Sequence, residues 1–231
     1  MSAQDVGARD VGARVVGARV VSVNAGRSRP QVVGNRTQHT AIDKRPLDGA
    51  VEVDHLGLRP DEQVDVEYHG GPEQALYAFA IEDYDYWIEQ LGRPLTPGQF
   101  GENLTTRGID VNAARIGEQW RVGEITVQVT GPRIPCVVFG AHLDERGWVR
   151  RFSAADRPGP YLRVLTPGTV QAGDAIVVVD RPDHDVTIAD AFRIHRRDRH
   201  EAERLIGLPG LVTPMARWAH EWTARNQAQR A

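Results

Sequence analysis

Short runs of β-branched residues, each closed by glycine, proline or aspartate, recur along most of this chain and commit it to a sheet-built core. They fall at residues 20–24, 51–53, 63–67, 125–129, 162–165 and 175–179. Strand side chains point alternately to two faces, and Ile125, Val127 and Val129 place their branches on one of them, as the half-buried wall of a barrel or sandwich requires. One helix interrupts the series. Pro72 stands at a first helical position, Leu76, Phe79, Ala80, Trp87 and Leu91 mark an apolar stripe, and Gly92 supplies a stop. A shorter helix is expected over 142–152.

After Arg181-Pro182-Asp183-His184-Asp185 the pattern turns helical, over 187–194, 200–207 and 211–224, with Pro209-Gly210 as a break. Leu211, Met215, Trp218, Ala219 and Trp222 keep helical spacing and read as core. The chain therefore reads as mainly β with helices (α+β): a barrel or sandwich over 18–181 and a small helical unit over 186–231 that packs on it or on a second copy, as in a homodimer. Residues 1–17 repeat Val-Gly-Ala-Arg, at Val6, Val11 and Val16, and are expected to be a disordered extension or a start-site artefact. The 231 residues carry a formal charge of −3 with 26% charged side chains, a balance that points to neither nucleic acid nor a membrane surface. No stretch approaches the ~20 apolar residues that span a bilayer.

Cys136 is the only cysteine, so an intramolecular disulfide and a thiolate-rich zinc site are both excluded. The absence of a cysteine framework fits a reducing cytoplasm. The thiol is then a nucleophile, a persulfide carrier, a single protein ligand to a cofactor metal, or a small buried hydrophobe. Pro132 and Pro135 restrict its approach to extended backbone, and Arg133, three residues away, can favour a charged sulfur. Fingerprints for nucleotide-binding loops, serine hydrolases and zinc peptidases are absent. His195, His200 and His220 lie in the helical unit without metal-ligand spacing.

Five segments carry glycine or charge where structural strands would be apolar: Thr40-Ala41-Ile42-Asp43-Lys44-Arg45, His69-Gly70-Gly71, Phe100-Gly101-Glu102-Asn103-Leu104, Pro132-Arg133-Ile134-Pro135-Cys136 and Gly159-Pro160-Tyr161-Leu162-Arg163-Val164. In this order and near this spacing they resemble the MOSC family, named for the C-terminal domain of molybdenum cofactor sulfurases. The resemblance covers about 18–180 and is closest to the stand-alone bacterial branch associated with tolerance of 6-hydroxylaminopurine, whose three-helix extension the tail also resembles.

The resemblance implies a β-barrel with short helices, the molybdenum cofactor (molybdopterin), and Cys136 as molybdenum ligand or sulfur carrier. A soft thiolate suits a metal already held by dithiolene sulfurs, and the cofactor's phosphate calls for cationic forks and backbone N–H groups. Lys44, Arg45 and Arg133 are the expected cations, though by residue type alone the Lys44-Arg45 pair is by default a solvated turn. His69, Gly70 and Gly71, ahead of a helix, are the expected anion seat. Glu102, Asn103 and Leu104 form either a plain turn or a pterin contact. Tyr161 is read as structural.

The implied activity is reduction of small N-hydroxylated substrates by N–O cleavage, with His69 as proton donor. One cysteine cannot build an iron–sulfur cluster, so electrons would come from a separate reductase. The alternatives are a persulfide carrier for cofactor maturation and a non-enzymatic cofactor-handling or sensing protein.

Overall fold

The computed structural model describes residues 17–65 and 70–228. The strands and helices of the first half are β1 (Arg19–Gly26), β2 (Arg29–Val33), β3 (Arg36–Thr40), β4 (Lys44–Pro46), β5 (Val51–Asp54), β6 (Gly57–Leu58), β7 (Leu76–Ala80), α1 (Ile81–Leu91) and β8 (Leu104–Arg107). The second half adds β9 (Gln119–Val122), β10 (Ile125–Pro132), α2 (Val137–Leu143), α3 (Trp148–Ala155), β11 (Pro160–Thr166), β12 (Gly168–Val170), β13 (Ile176–Asp180), α4 (Ile188–Arg196) and α5 (Thr213–Ala228).

Eight strands form one sheet in the order β13-β9-β10-β11-β7-β8-β1-β4. A bridge between Arg19 and Ala175 returns β1 to β13, and Ile176 N–H donates to the Ala18 carbonyl at 2.9 Å, so the sheet closes on itself. Closure satisfies the backbone groups that an open edge would leave unpaired. The interior is apolar: Val20, Leu76, Leu104, Trp120, Ile125, Val127, Val129 and Leu162 are all almost wholly buried. The α+β barrel expected from the sequence is the architecture the chain adopts.

The helix expected to begin at Pro72 is instead a single 3₁₀ turn, Pro72–Gln74, followed by strand β7 and only then by α1. All five residues of β7 are buried. Leu76, Ala78 and Ala80 belong to the barrel core, whereas Tyr77 and Phe79 belong to a second, aromatic layer with Trp87, Phe100, Phe139, Trp148 and Phe152. A short strand covered on both faces is apolar throughout, which hides its period of two and lets it read as helix. Gly92 ends α1 as expected: its φ is 64° and its N–H returns to the Ile88 carbonyl.

The helix expected over 142–152 is broken where Asp144 and Gly147 adopt left-handed backbone, leaving α2 and α3. The strand expected over 63–67 is absent at 63–65, and its remainder lies outside the described residues, as do 1–16 of the N-terminal expectation. The hairpin of β2 and β3 was not legible, because its side chains are mostly exposed on both faces and lack alternation.

The tail begins with a capping box, in which Thr187 Oγ1 accepts from Asp190 N–H and the Asp190 carboxylate accepts from Thr187 N–H. The segment expected as a helix over 200–207 is 3₁₀, Arg199–Leu205. Ile188, Ala191, Ile194, Leu205, Met215 and Ala219 join the barrel's own apolar core, so the tail packs on the barrel. No helix among the described residues is long and apolar enough to cross a membrane.

Candidate functional site

The site grows from the end of β10. Pro132 pairs with Pro160 of β11, Arg133 N–H donates to the Gly159 carbonyl at 3.1 Å, and the chain then runs through Ile134 and Pro135 to Cys136, the residue capping α2. The guanidinium of Arg133 is drawn inward. It lies 3.9 Å above the Phe139 ring and 5.3 Å from that of Tyr77, only 5% of the residue is exposed, and its Nη1 has no hydrogen-bond partner. Ring faces attract a cation but do not replace the hydrogen bonds water would supply, so this guanidinium is poised for an anionic guest.

Beside it is a cleft of about 240 Å³, bordered by Lys44, Asp61, Gly101, Asn103, Cys136 and Tyr161. Gly101 has φ 79°, and a Cβ there would meet Ile42 Cγ1 at 3.0 Å and approach Arg133 Nη2 at 3.7 Å. Glycine is required both by the backbone and by the wall. Lys44 is buried and donates to both carboxylate oxygens of Asp61, at 2.6 and 2.5 Å. Burial lowers its pKa, partly offset by Asp61. Its charge is therefore already met from within the chain, unlike that of Arg133.

Asn103 locks this pair in place, donating from Nδ2 to Asp61 at 2.9 Å and accepting Tyr77 N–H at Oδ1. Its amide is engaged in holding the cleft wall. Glu102 lies wholly buried behind it, accepting from Tyr84 Oη, Thr105 Oγ1 and the N–H groups of Gly98 and Phe100. Burial raises its pKa, and the Thr105 and Tyr84 hydroxyls oppose the shift. Leu104 is in the barrel core, 1% exposed. Arg45 turns outward to Asp43 at 2.9 Å and borders a separate polar recess with Arg29, Arg93 and His142.

Gly71 N–H donates to Gln63 Oε1 at 2.8 Å, and the single 3₁₀ turn beyond it leaves Gly70 and Gly71 without the long helix expected to follow them. Gly70 is described beside Gln63, and His69 lies outside the described residues. The structure thus brings Lys44, Asn103, Arg133 and Cys136 to one cleft and sets Arg45, Glu102 and Leu104 apart from its lining.

Sequence reasoning missed Asp61, which neutralises Lys44, and Tyr77, whose ring carries Arg133. Neither has a local spacing signal, since each is tied to partners far along the chain. It also missed an apolar arm of about 530 Å³ that opens from the same wall and shares Cys136, Tyr161, Gln38, Asp65, Gln74 and Val138 with the cleft. Its far side is furnished by the tail, through His195, Val212, Pro214 and Met215. Tyr161, expected to be structural, stands where the two spaces meet; burial pushes its phenol up to about 12 against the pull of Arg133, so it stays protonated at neutral pH.

The family model for the MOSC domain matches residues 65–177, the span that contains Arg133 and Cys136. The chain is also 33% identical to protein YiiM of Escherichia coli (strain K12) over 198 residues, 83% of this chain and 84% of that one. The chain belongs to the MOSC-domain family.

Its fold is similar to the crystal structure of YiiM from Geobacillus stearothermophilus, with a TM-score of 0.74 and 27% identity, covering 89% of this chain and 98% of that one. A protein of Gibberella moniliformis (strain M3125 / FGSC 7600) named "Reductase" is 28% identical over 180 residues, 75% of this chain and 31% of that one. The MOSC domain is related to molybdenum cofactor sulfurases. Among the described residues no three His, Cys, Asp or Glu side chains converge to hold a metal. A metal at Cys136 would therefore take no more than two ligands of these types from the described residues and the rest from a cofactor, which a dithiolene can supply. The unpartnered Arg133 Nη1 meets the second demand of such a group, an anion-binding fork.

Proposed function

We propose that this MOSC protein binds the molybdenum cofactor and reduces small N-hydroxylated compounds, with electrons from a separate reductase. The observation that carries the reading is Arg133, a buried guanidinium with an unpartnered nitrogen next to the only cysteine. Cys136 would be the metal's protein ligand and Arg133 the seat for the cofactor's anionic part, while Lys44, Asp61 and Asn103 keep the facing wall rigid. When bound, the cofactor supplies two-electron redox chemistry.

The remaining work falls to the chain. The aromatic layer beneath Arg133 excludes water, which strengthens the hold on an anion. The Tyr161 phenol, protonated at neutral pH, offers a hydrogen bond to a substrate hydroxyl where the cleft and arm meet. Cleavage of an N–O bond takes two electrons and two protons and releases water; His69 is the proposed source of the proton for the departing hydroxyl. The fungal relative named a reductase supports the redox reading, and the relationship to cofactor sulfurases supports the cofactor.

Protein made in cells that synthesise the cofactor is expected to carry molybdenum and pterin. Cys136→Ser should lose the metal and Arg133→Met the pterin. If both variants retain both components, neither residue has the proposed role. The persulfide reading draws on the same cysteine standing at the wall of an open cleft. It predicts a species about 32 Da heavier on Cys136 by mass spectrometry, with no metal retained.

A further inference from the structure

Two side chains lining the apolar arm carry a buried polar atom without a hydrogen-bond partner: Gln74, where the arm joins the cleft, and His195, which the tail contributes. His195, on α4 of the tail, borders the arm on the side away from the barrel, and neither ring nitrogen has a hydrogen-bond partner. Nδ1 is fully enclosed. Nε2 is the nitrogen left to reach open space, and its neighbours Val212, Pro214 and Met215 offer it no polar side chain. The ring is held edge-on to Trp218, with centroids 4.6 Å apart, so its orientation is set by packing. Burial, with Arg196 and Arg199 nearby, lowers its pKa to about 4, which keeps it neutral and unsuited to binding an anion.

We infer that His195 is a specificity-determining residue. Its Nε2 hydrogen-bonds the polar edge of a flat, ring-bearing substrate whose apolar face lies in the arm and whose N-hydroxyl end reaches Cys136. The inference rests on reading Cys136 as the reacting end of the site. The polar lining Gln38, Asp65 and Gln74 is shared with the cleft, and beyond it His195 is the one polar side chain set among the arm's apolar walls, a pattern that orients a ring rather than merely retains it. A ligand lacking the ring would leave the arm wet and His195 unused. The tail thus acts as the substrate-selecting wall of a barrel-borne site.

The test uses benzhydroxamic acid as a ring-bearing N-hydroxylated probe and acetohydroxamic acid as its ringless counterpart. Trp218, in contact with His195, reports binding by fluorescence, and Trp218→Phe identifies its share of the signal. The wild-type protein should bind the ring-bearing probe more tightly. His195→Leu should weaken that binding about tenfold, the worth of one lost hydrogen bond, with little effect on the ringless probe. His195→Asn, which keeps a polar group, should recover part of the loss, and near-ultraviolet circular dichroism of both variants checks that the tail remains packed.

In cofactor-loaded protein with an electron donor, His195→Leu should raise KM and leave kcat nearly unchanged. Equal affinity of wild type and His195→Leu for benzhydroxamic acid, or no binding by wild type, overturns the inference. Molybdenum and pterin content measured on the same preparations separates the two readings: His195-dependent binding by a protein that carries no cofactor would support the subsite and refute the reductase.

Discussion

Two buried cations border the same cleft, and their replacement by methionine should have very different effects on stability. Lys44 is bound to Asp61 through both carboxylate oxygens, and Asp61 also accepts from Gly26 N–H at 2.7 Å and from Asn103. Lys44→Met leaves a buried carboxylate without its cation, a loss of about 3–5 kcal/mol. Arg133 is equally buried but has an unpartnered Nη1 and only ring faces beneath it. Arg133→Met removes an unmet donor that costs about 1–3 kcal/mol and gives up cation–ring attraction of about 1–2 kcal/mol. The balance for the cofactor-free protein runs from about 1 kcal/mol less stable to about 2 kcal/mol more stable, a shift in Tm of roughly a few degrees.

The assay is urea unfolding followed by circular dichroism, on protein from cells unable to make the cofactor. Equal slopes would confine the difference to stability. A loss of several kcal/mol in Arg133→Met, comparable with that of Lys44→Met, would refute the reasoning, because Arg133 would then be a structural cation. A neutral or positive change combined with loss of pterin is the mark of a residue kept for binding at the expense of stability.

Gly101→Ala should destabilise by about 1–2 kcal/mol, because φ 79° and the close contact with Ile42 both oppose a Cβ, and should lower cofactor content on the same preparation. Thr187→Ala removes the capping box of α4 and should cost about 1 kcal/mol in urea unfolding while altering probe affinity in the arm, since α4 carries His195. His195 and His142 both have folded pKa values below the unfolded value of 6.5, so the folded state binds fewer protons. The stability they contribute is present above pH 6.5 and is lost as pH falls, towards about 4 for His195. Urea midpoints between pH 7 and 5 should show this fall. A slope unchanged in the His142→Gln/His195→Asn double variant would show that other groups carry it.

Legibility followed the range of the interactions. Strands β1, β5, β10, β11 and β13 were readable because each buries one face or lies between turn residues, and Gly92 was readable because a helix stop is local. Strand β7 was not, since its Tyr77 and Phe79 face aromatic partners on α1, α2 and α3, which no local pattern announces. Among the site residues, Cys136 and Arg133 stood out through the two prolines around them. Lys44 and Arg45 looked equivalent as adjacent basic residues, yet the alternation of β4 sends one to Asp61 in the cleft and the other outward to Asp43. Glu102 and Asn103 were legible as a charged turn, but their partners, among them Tyr84, Thr105 and Asp61, come from other elements.

By itself the amino-acid sequence determined the kind of core, the family resemblance and the one thiol available for chemistry, because residue type, period and count are properties of the chain. Only the tertiary structure decided which cation remains unpaired, since that depends on Asp61 reaching Lys44 and on no comparable carboxylate among the described residues reaching Arg133. It also decided that the tail walls the arm at Cys136: α4 and α5 bury their apolar faces in the barrel's core, and that packing carries His195 to a place its position in the chain does not foretell.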